Sequence, residues 1–478
     1  MNTKDVIIVF DCGATNVRTV AIDVNGKILA SESRPNNTKP DPEMEGGLIW
    51  DVFEIWSKLS ETCRIVLSGV DKERIAGVSV TTFGVDGTFL DESGKLVYPV
   101  ISWQCRRSNA IMENIDKYFP VEELYAESGV YPHAFNTINK LIWIKENRPD
   151  VLDKATNFLF IPSLFVFMLT GERVNDVTMM GTSMLTDQRN RKWSERIFEK
   201  IGVPVSLFDP VAESGEMAGK VNAKGSEDTG IPVGVPVFLG GHDTQFAIFG
   251  SGAELHQPVL SSGTWEILMV RSRQFTSSVS QLKAGLTNEL DSQKGIFNIG
   301  QNWLSSGVLE WFSRNFYPGL KGDKLYETMI ADAKKVLPGS NGIKIDPSFY
   351  KDNMHTEGGA ITGITLNTTR GEIYRAMLES LSFKLKEVMI TLEEAGGFTT
   401  DKIIVVGGGS KNQFWNQLRA DVCGKPIQTI DQKETTVLGA ALFAMAGAGL
   451  FRSPEEARSS IDYNPQLIEP SDDMKKYQ

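Results

Sequence analysis

The sequence predicts an α/β protein with two domains of the same architecture, and three observations support this prediction. The chain of 478 residues is too long for one ordinary hydrophobic core. A strand–turn–strand pattern, with small and hydroxyl residues in the turn, occurs at 6–22 and returns at 258–270. Strand and helix patterns follow each copy in a similar order. A Gly/Ser-rich stretch near Gly250 gives predicted domains 1–250 and 251–478.

Composition excludes several classes of protein. The net charge of -11 argues against a nucleic-acid-binding surface, which needs a basic face. The four cysteines are widely spaced and form no CxxC pair, which fits a reducing cytosol. The N-terminal apolar run is too short for a signal peptide, and no run approaches the ~20 residues that span a bilayer. We therefore expect a cytoplasmic protein with neither a nucleic acid nor a membrane as partner.

The first half of the chain mixes strand and helix patterns. We predict strands at 6–10, 18–22, 75–81 and 235–239, and helices at 48–67, 137–147 and 162–169. In the helix at 48–67, Trp50, Phe53, Trp56 and Leu59 are expected near one face.

The second half repeats this order. We predict strands at 259–261, 267–270 and 403–406, and helices at 372–392 and 434–446. The same succession seen twice resembles a duplicated ribonuclease-H-like, actin-like ATPase fold. A fold analogy alone does not define a function.

The first candidate site is DCGATNVR at 11–18. A turn without bulky side chains lets backbone N–H groups close on a phosphate, and Asp11 at the strand end can hold a metal ion. The alternative is an ordinary hairpin with a polar tip. The second turn, SSGTWE at 261–266, favours phosphate binding, because Gly263 permits close approach and Thr264 offers a hydroxyl and an N–H.

The second candidate site is GGHDTQF at 240–246, where a strand runs through two glycines into a helix. Asp243 at the helix start is well placed to accept a proton from a substrate hydroxyl, as carboxylates do in phosphoryl transfer. The alternative interpretation of Asp243 is a helix N-cap. His242 is interpreted as a structural residue or hydrogen-bond donor rather than the base.

The third candidate is VVGGGSKNQF at 405–414, a buried strand followed by three glycines and a helix. Such a turn lets the backbone pass flat against an adenine or a ribose. It matches neither GxGxxG nor the P-loop pattern. The alternative is a tight strand-to-helix turn with no ligand.

The fourth candidate combines TTFGVDG at 81–87 with SWQCRR at 102–107. Phe83 and Trp103 offer flat faces for a sugar, while Asp86 and Gln104 offer partners for its hydroxyls. The alternative places the two aromatic rings in the core and both arginines at a solvated helix start. Asp86 is informative because a carboxylate after an apolar strand needs partners.

Two long patterns resemble the signatures of the FGGY carbohydrate kinase family. FNTINKLIWIKEN at 135–147 fits the first signature, and GAITGITLNTTRGEIYRAMLE at 359–379 fits the second, in the correct order. The resemblance covers nearly the whole chain and implies two ribonuclease-H-like domains with a cleft between them. Lys411 interrupts the two glycines and small residues usual in the family's nucleotide turn, which leaves the side-chain contacts there open.

The resemblance also implies roles for individual residues. Asp243 is expected to be the catalytic base, and Asp11 and Asp243 are expected beside Mg²⁺. The residues expected to bind ATP are Gly13, Ala14, Thr15, Asn16, Gly263 and Thr264 at the phosphates, and Gly407, Gly408 and Asn412 at the adenosine. The residues expected at the sugar are Gly84, Asp86, Trp103, Asp243, Thr244 and Asn298.

The implied reaction is transfer of the γ-phosphoryl group of ATP to the 1-hydroxyl of L-fuculose, as part of L-fucose degradation. One alternative changes only the acceptor, to L-rhamnulose or another ketose. An alternative from a different class is a non-catalytic sugar or nucleotide sensor, which the presence of both aspartates and both turns disfavours. Many members of the family are dimers, so a homodimer is among the expected assemblies.

Overall fold

A computed structural model describes residues 4–208, 210–349 and 358–477. The chain forms two compact units. Unit 1 comprises the chain up to Gly252 together with Arg273–Asn298 and Glu434–Asp462. Unit 2 comprises Ala253–Ser272, Ile299–Lys433 and the chain from Tyr463.

The strands are short in the connecting regions and longest in the two main sheets. They are β1 Val6–Cys12, β2 Asn16–Asp23, β3 Ile28–Pro35, β4 Lys39–Pro40, β5 Leu48–Trp50, β6 Ile75–Thr82, β7 Gly87–Leu90, β8 Val100–Ile101, β9 Asn157–Phe160, β10 Asn175–Asp176, β11 Thr186–Asp187, β12 Lys192–Trp193, β13 Val211–Ala212, β14 Met217–Lys220, β15 Pro236–His242, β16 Pro258–Ser262, β17 Trp265–Ser272, β18 Thr287–Leu290, β19 Phe297–Leu304, β20 Lys344–Asp346, β21 Ala360–Thr362, β22 Ile403–Val406, β23 Ile427–Thr429 and β24 Gln466–Ile468.

The helices range from single turns to one long helix, α14. They are α1 Val52–Ser68, α2 Asn109–Glu113, α3 Val121–Ser128, α4 Thr137–Asn147, α5 Pro149–Lys154, α6 Ile161–Thr170, α7 Val177–Met180, α8 Glu195–Ile201, α9 Ala223–Thr229, α10 Asp243–Gly250, α11 Val279–Lys283, α12 Ser306–Phe316, α13 Gly322–Lys334, α14 Arg370–Gly396, α15 Gln413–Cys423, α16 Thr435–Gly447 and α17 Pro454–Ser459.

The main sheet of unit 1 has the strand order β14-β15-β6-β1-β2-β3. Strands β1, β6 and β15 are parallel to one another, whereas β2 is antiparallel to β1 and β3 is antiparallel to β2. The parallel strands are buried along almost their whole length, as expected when helices cover both faces of a sheet. Helices α1 and α6 contribute Trp56, Leu59 and Phe165 to the core on the face that contains Phe10.

Helix α16 explains why a segment near the C-terminus belongs to unit 1. It packs against β1, β6 and β15 and along α10. Small residues permit close packing here: a Cβ built on Gly439 would lie 2.0 Å from the Phe246 carbonyl oxygen, and one built on Gly250 equally close to the Thr435 carbonyl oxygen. The predicted domain boundary falls at the end of α10, and residues beyond it return to complete unit 1.

Unit 2 repeats the strand order of unit 1. Its strands follow the order β19-β17-β16-β22-β23-β24, in which β16 and β17 form an antiparallel hairpin and β22 and β23 are parallel to β16. The first five strands correspond to β3-β2-β1-β6-β15 in unit 1. The prediction of a duplicated ribonuclease-H-like fold is thereby confirmed.

One predicted element was wrong at its start. The residues of β5 were predicted to begin the helix at 48–67, but β5 pairs with β8 instead. The helix begins only after Asp51, whose side chain accepts a hydrogen bond from the Glu54 N–H at 3.0 Å and thus caps it. Phe53 was also expected near the apolar face, but it is 62% exposed.

Two further sequence expectations concern the redox state and the membrane. All four cysteines are free and buried. Among the described residues, no helix is both long and apolar enough to cross a bilayer.

We predict that Gly439→Ala destabilises unit 1 because the new methyl group has no room between α16 and α10. Overpacking of this kind lowers the free energy of unfolding by about 1–3 kcal/mol. This loss is expected to exceed the stabilisation that alanine usually gives when it replaces glycine in a helix. The thermal unfolding midpoint measures the effect. Ala446→Ser, which adds one atom on the same helix at a partly exposed position, is the control. Unchanged stability of Gly439→Ala would contradict the close packing.

Candidate active site

The carboxyl ends of three parallel strands lie side by side in unit 1. Asp11 in β1 is paired with Thr81 in β6, and Thr81 is paired with Gly241 in β15. Asp243 follows β15 directly and is the first residue of α10. The register therefore brings the ends of the first and second sequence motifs to the same edge of the sheet, although they are far apart in sequence.

Asp243 does not act as the N-cap of its helix. His242 occupies the N-cap position, and the Asp243 Oδ1 accepts a hydrogen bond from the neighbouring Thr244 N–H at 2.6 Å. Burial raises the pKa of Asp243 to about 6. Burial likewise raises the pKa of Asp11, and the negative charge of Asp243 adds to this shift. Two carboxylates that repel each other in this way form a donor set suited to a cation.

Arg18 supports the Asp11 carboxylate. It lies opposite Asp11 in the β1–β2 hairpin, and its Nε donates to Asp11 Oδ2 at 2.6 Å. A second ion pair joins Arg18 to Glu434 just before α16. Arg18 in the neighbouring strand thus partly neutralises the charge of Asp11, one of the two candidate metal-binding carboxylates.

The turn between β1 and β2 contains the predicted phosphate-binding residues. The Gly13 N–H donates to the Asn16 carbonyl at 2.8 Å, which closes the turn, and Asn36 donates its side-chain amide to the Gly13 carbonyl at 2.9 Å. Thr15 and Asn16 are exposed, and Gly13 and Ala14 are half-buried. The tip of the hairpin is therefore open to a ligand.

His242 lies between Asp243 and a carboxylate that sequence reasoning missed. Its Nε2 is 3.4 Å from Asp243 Oδ1, and its Nδ1 is 3.7 Å from Glu289 Oε2. Gly84 approaches the same imidazole ring so closely that a Cβ there would lie 2.9 Å from it. This places the Gly84 segment, predicted to contact the sugar, beside the predicted base.

A chain of buried amides and carboxylates continues from Glu289. Gln245 Nε2 donates to Glu289 Oε2 at 2.8 Å, and Asn298 Nδ2 donates both to Gln245 Oε1 and to Asp291 Oδ2, the latter at 2.9 Å. Asn298, a predicted sugar residue, is fully buried. Only the three-dimensional fold identifies Glu289, because nothing in its sequence surroundings distinguishes it.

Asp86 is buried and bonded on both oxygens. Its Oδ2 accepts from the Trp50 indole at 2.7 Å and from the Trp103 backbone N–H at 2.9 Å, while its Oδ1 pairs with Lys140. Burial raises the pKa of the carboxyl, and Lys140 opposes that shift. Asp86 has no exposed surface, whereas Trp103 is partly exposed. The carboxylate therefore holds the Trp103 backbone rather than standing open at a pocket.

In unit 2 the second predicted phosphate turn lies between β16 and β17. Gly263 and Thr264 are exposed at its tip. Their carbonyls accept hydrogen bonds from the backbone that enters α12: Ser306 N–H donates to Gly263 at 3.2 Å and Ser305 N–H to Thr264 at 3.0 Å. The turn is thus fixed from behind while its tip remains open.

A buried ion pair lies directly beneath this turn, between Glu266 and Arg419, and neither residue was identified from the sequence. Arg419 Nη2 also donates to the Ser262 hydroxyl at 2.8 Å, and the Trp303 indole donates to the other Glu266 oxygen at 3.0 Å. Because Arg419 belongs to α15, the pair connects the hairpin to the helix that follows the glycine-rich turn.

The predicted adenosine residues lie at that glycine-rich turn. Gly407 has a φ of 82° directly after β22, and both Gly407 and Gly408 are exposed. Asn412 caps α15, since its side-chain oxygen accepts from the Trp415 N–H at 3.1 Å. A Cβ on Gly409 would lie 2.0 Å from the Ser262 hydroxyl, so this turn packs closely on the phosphate hairpin.

Among the described residues, no group of three or more His, Cys, Asp or Glu side chains could hold a metal ion. Mg²⁺ is commonly bound by one or two carboxylates together with substrate phosphates. Asp11 and Asp243 fit such a pair, since the charge of Asp243 acts on Asp11 and raises its pKa.

The sheet order repeated in the two units defines the ribonuclease-H-like, actin-like ATPase fold. The xylulose kinase of Rhodospirillum rubrum superimposes with a TM-score of 0.89 over 99% of this chain and 96% of that one, at 21% identity. The FGGY carbohydrate kinase N-terminal domain matches residues 6–250, and the C-terminal domain matches residues 259–448. The chain belongs to the FGGY family of carbohydrate kinases.

Two curated relatives are similar over almost their full length. The L-fuculokinase of Escherichia coli strain K12 is 44% identical over 98% of this chain and 98% of its own. The L-fuculokinase of Haemophilus influenzae is 40% identical over 98% of this chain and 100% of its own.

We predict that Glu266→Ala strongly destabilises unit 2, because it leaves the Arg419 guanidinium buried without its carboxylate. Removing one partner of a buried ion pair costs about 3–5 kcal/mol. The midpoint of urea unfolding, followed by tryptophan fluorescence, measures the loss. Glu387→Ala removes the partner of Lys384 at an exposed position of the same unit and should cost less than ~1 kcal/mol. Equal effects of the two variants would contradict the role of the pair.

Proposed function

We propose that this protein transfers the γ-phosphoryl group of ATP to the 1-hydroxyl of L-fuculose, giving L-fuculose 1-phosphate and ADP in L-fucose degradation. The observation that carries the proposal is 44% identity over 98% of the chain with an enzyme named L-fuculokinase. The site adds the chemistry, because Asp11, Asp243 and both hairpin turns are present.

Asp243 is proposed as the catalytic base. Its half-buried carboxylate follows a rigid strand, and Oδ1 is oriented by the Thr244 N–H. A pKa raised to about 6 keeps the group ionised near neutrality and makes it a better proton acceptor than an ordinary aspartate. In phosphoryl transfer such a carboxylate chiefly orients the attacking hydroxyl.

Asp11 and Asp243 are proposed to hold Mg²⁺. When bound, the ion neutralises charge on the transferring phosphoryl group. Arg18 limits the charge at Asp11 and keeps its carboxylate directed along the sheet edge.

Binding of the two substrates is proposed to follow the predicted residues. Gly13, Ala14, Thr15 and Asn16 in unit 1, and Gly263 and Thr264 in unit 2, bind the phosphates of ATP. Gly407, Gly408 and Asn412 bind the adenosine. Gly84, Trp103 and Thr244 form the sugar site with Asp243, and the predicted residue Asn298, which is fully buried, supports it through Gln245. Asp86 acts on that site indirectly, because its oxygens hold the Trp103 N–H and the Trp50 indole.

The cellular setting is also a proposal. We place the enzyme in the cytoplasm, where free buried cysteines are stable, and we propose a homodimer as its assembly.

We predict that Asp243→Asn lowers kcat by at least about 10²-fold, the usual scale for loss of a general base. Sugar binding should survive, since the amide keeps the shape of the carboxylate. Kinetics of ADP release and calorimetric titration with L-fuculose measure the two effects. Asp153→Asn, at an exposed carboxylate in unit 1, is the control and should leave kcat unchanged. Near-wild-type turnover of Asp243→Asn would refute its assignment as the base.

The proposed substrate is tested by ADP release with Mg·ATP and a ketose panel: L-fuculose, L-rhamnulose, D-xylulose and L-ribulose, with glycerol added. We expect the largest kcat/KM with L-fuculose. A preference for another ketose would support the assignment as a kinase and contradict L-fuculose as its substrate. A folded protein that binds ATP and phosphorylates none of the panel would favour the sensor instead.

A further inference from the structure

The backbone immediately before Asp243 is held against a buried carboxylate. The pairing of β15 with β6 shifts register between Phe238 and Gly241, and Gly241 has a φ of 155°. A Cβ on Gly241 would lie 2.0 Å from Asp176 Oδ1 and 2.3 Å from the Thr178 hydroxyl. Only glycine permits this approach, so the path of the chain into Asp243 is set by contact with these two side chains.

Both polar groups of one peptide unit are bonded to side-chain hydroxyls. The Gly241 carbonyl accepts a hydrogen bond from the Thr81 hydroxyl at 3.1 Å. The His242 N–H, in the same peptide unit, donates to the Thr178 hydroxyl at 2.8 Å. A peptide plane bonded at both ends cannot rotate without losing a buried hydrogen bond. Its orientation fixes the direction in which the chain enters Asp243.

Asp176 fixes the direction of the Thr178 hydroxyl. The Thr178 hydroxyl donates to Asp176 Oδ1, which leaves its lone pairs for the His242 N–H. Asp176 Oδ1 also accepts from the Thr178 N–H at 2.7 Å, and Asp176 Oδ2 accepts from the Ser214 hydroxyl at 2.9 Å. Asp176, Thr178 and Thr81 are at most 1% exposed, so no water competes for these bonds.

We propose that Thr81, Thr178 and Asp176 form a hydroxyl clamp that positions Asp243 for proton transfer. They are positioning residues: Thr81 and Thr178 bond the peptide that precedes Asp243, and Asp176 acts through Thr178. The inference rests on the proposed role of Asp243 as the base. A displacement of about 1 Å at a reacting group can cost 10²-fold in rate, so a clamp on the adjacent peptide bears directly on kcat.

The test compares two substitutions of Thr178 in the full-length enzyme. Thr178→Val removes the hydroxyl with little change of shape, and Thr178→Ser keeps it. We expect Thr178→Val to lower kcat at least about tenfold with KM values for sugar and ATP changed less than about threefold, and Thr178→Ser to restore most of the rate. Thr62→Val is the control, because that buried hydroxyl bonds Thr19 in the same unit, away from Asp243. It should affect stability and leave kcat unchanged.

A double-mutant comparison separates positioning from a merely structural role. If Thr178 acts through Asp243, Thr178→Val adds no further loss in the Asp243→Asn background. The inference is overturned if the two substitutions reduce kcat independently, so that the loss in the double mutant is the product of the two single losses. It is also overturned if Thr178→Val keeps the wild-type kcat, or if Thr178→Ser does not restore the lost rate.

An error in the proposed sugar does not affect this test. The variants are assayed with whichever ketose of the panel the wild-type protein phosphorylates fastest. If it phosphorylates none, the proposed function fails, and the variants are compared in hydrolysis of Mg·ATP to ADP and phosphate. Equal hydrolysis rates of Thr178→Val and the wild-type protein would then overturn the clamp as well.

Discussion

The register of three parallel strands is the constraint on which the candidate site of unit 1 depends. Pairing of Asp11 with Thr81, and of Thr81 with Gly241, aligns the carboxyl ends of β1, β6 and β15. A one-residue slip in a sheet reverses the face of every side chain, so the register cannot drift without exposing the apolar core. The burial that stabilises the sheet thereby also brings the two candidate metal-binding carboxylates to the same edge.

Charged groups beneath the site are paired rather than replaced by apolar side chains. Asp86 pairs with Lys140 beside the predicted sugar residues of unit 1, and Glu266 pairs with Arg419 beneath the predicted phosphate turn of unit 2. Buried ion pairs contribute little net stability, because desolvation offsets much of their attraction. Each pair instead carries further hydrogen bonds to neighbouring segments, such as the Trp103 N–H bonded by Asp86. Their value is therefore geometric: they fix the loops that present the ligand-binding groups.

Sequence reasoning found what is local and missed what depends on distant partners. The two hairpin turns and the strand-to-helix junction at Asp243 are contiguous patterns, so spacing predicts them together with the repeated order of strands. Arg419 bonds Ser262 across 157 positions, and Thr178 bonds His242 across 64. Such contacts leave no periodicity in a single sequence. The β5 segment was predicted as helix for the same reason, because its partner strand β8 lies far along the chain.

The chemistry of the hydroxyl clamp suits a catalytic carboxylate. A lysine or arginine bonded near Asp243 would lower its pKa and weaken it as a base, and would compete with a metal ion for the same charge. A threonine hydroxyl carries no net charge, so it orients the backbone without altering the electrostatics of the base. The carboxyl group of Asp176, whose pKa burial raises to about 7, lies one hydrogen bond further away, behind Thr178. The fold thus separates the groups that fix geometry from the proposed proton acceptor, and burial raises the pKa of Asp243 although its hydrogen bonds with Thr244 oppose that shift.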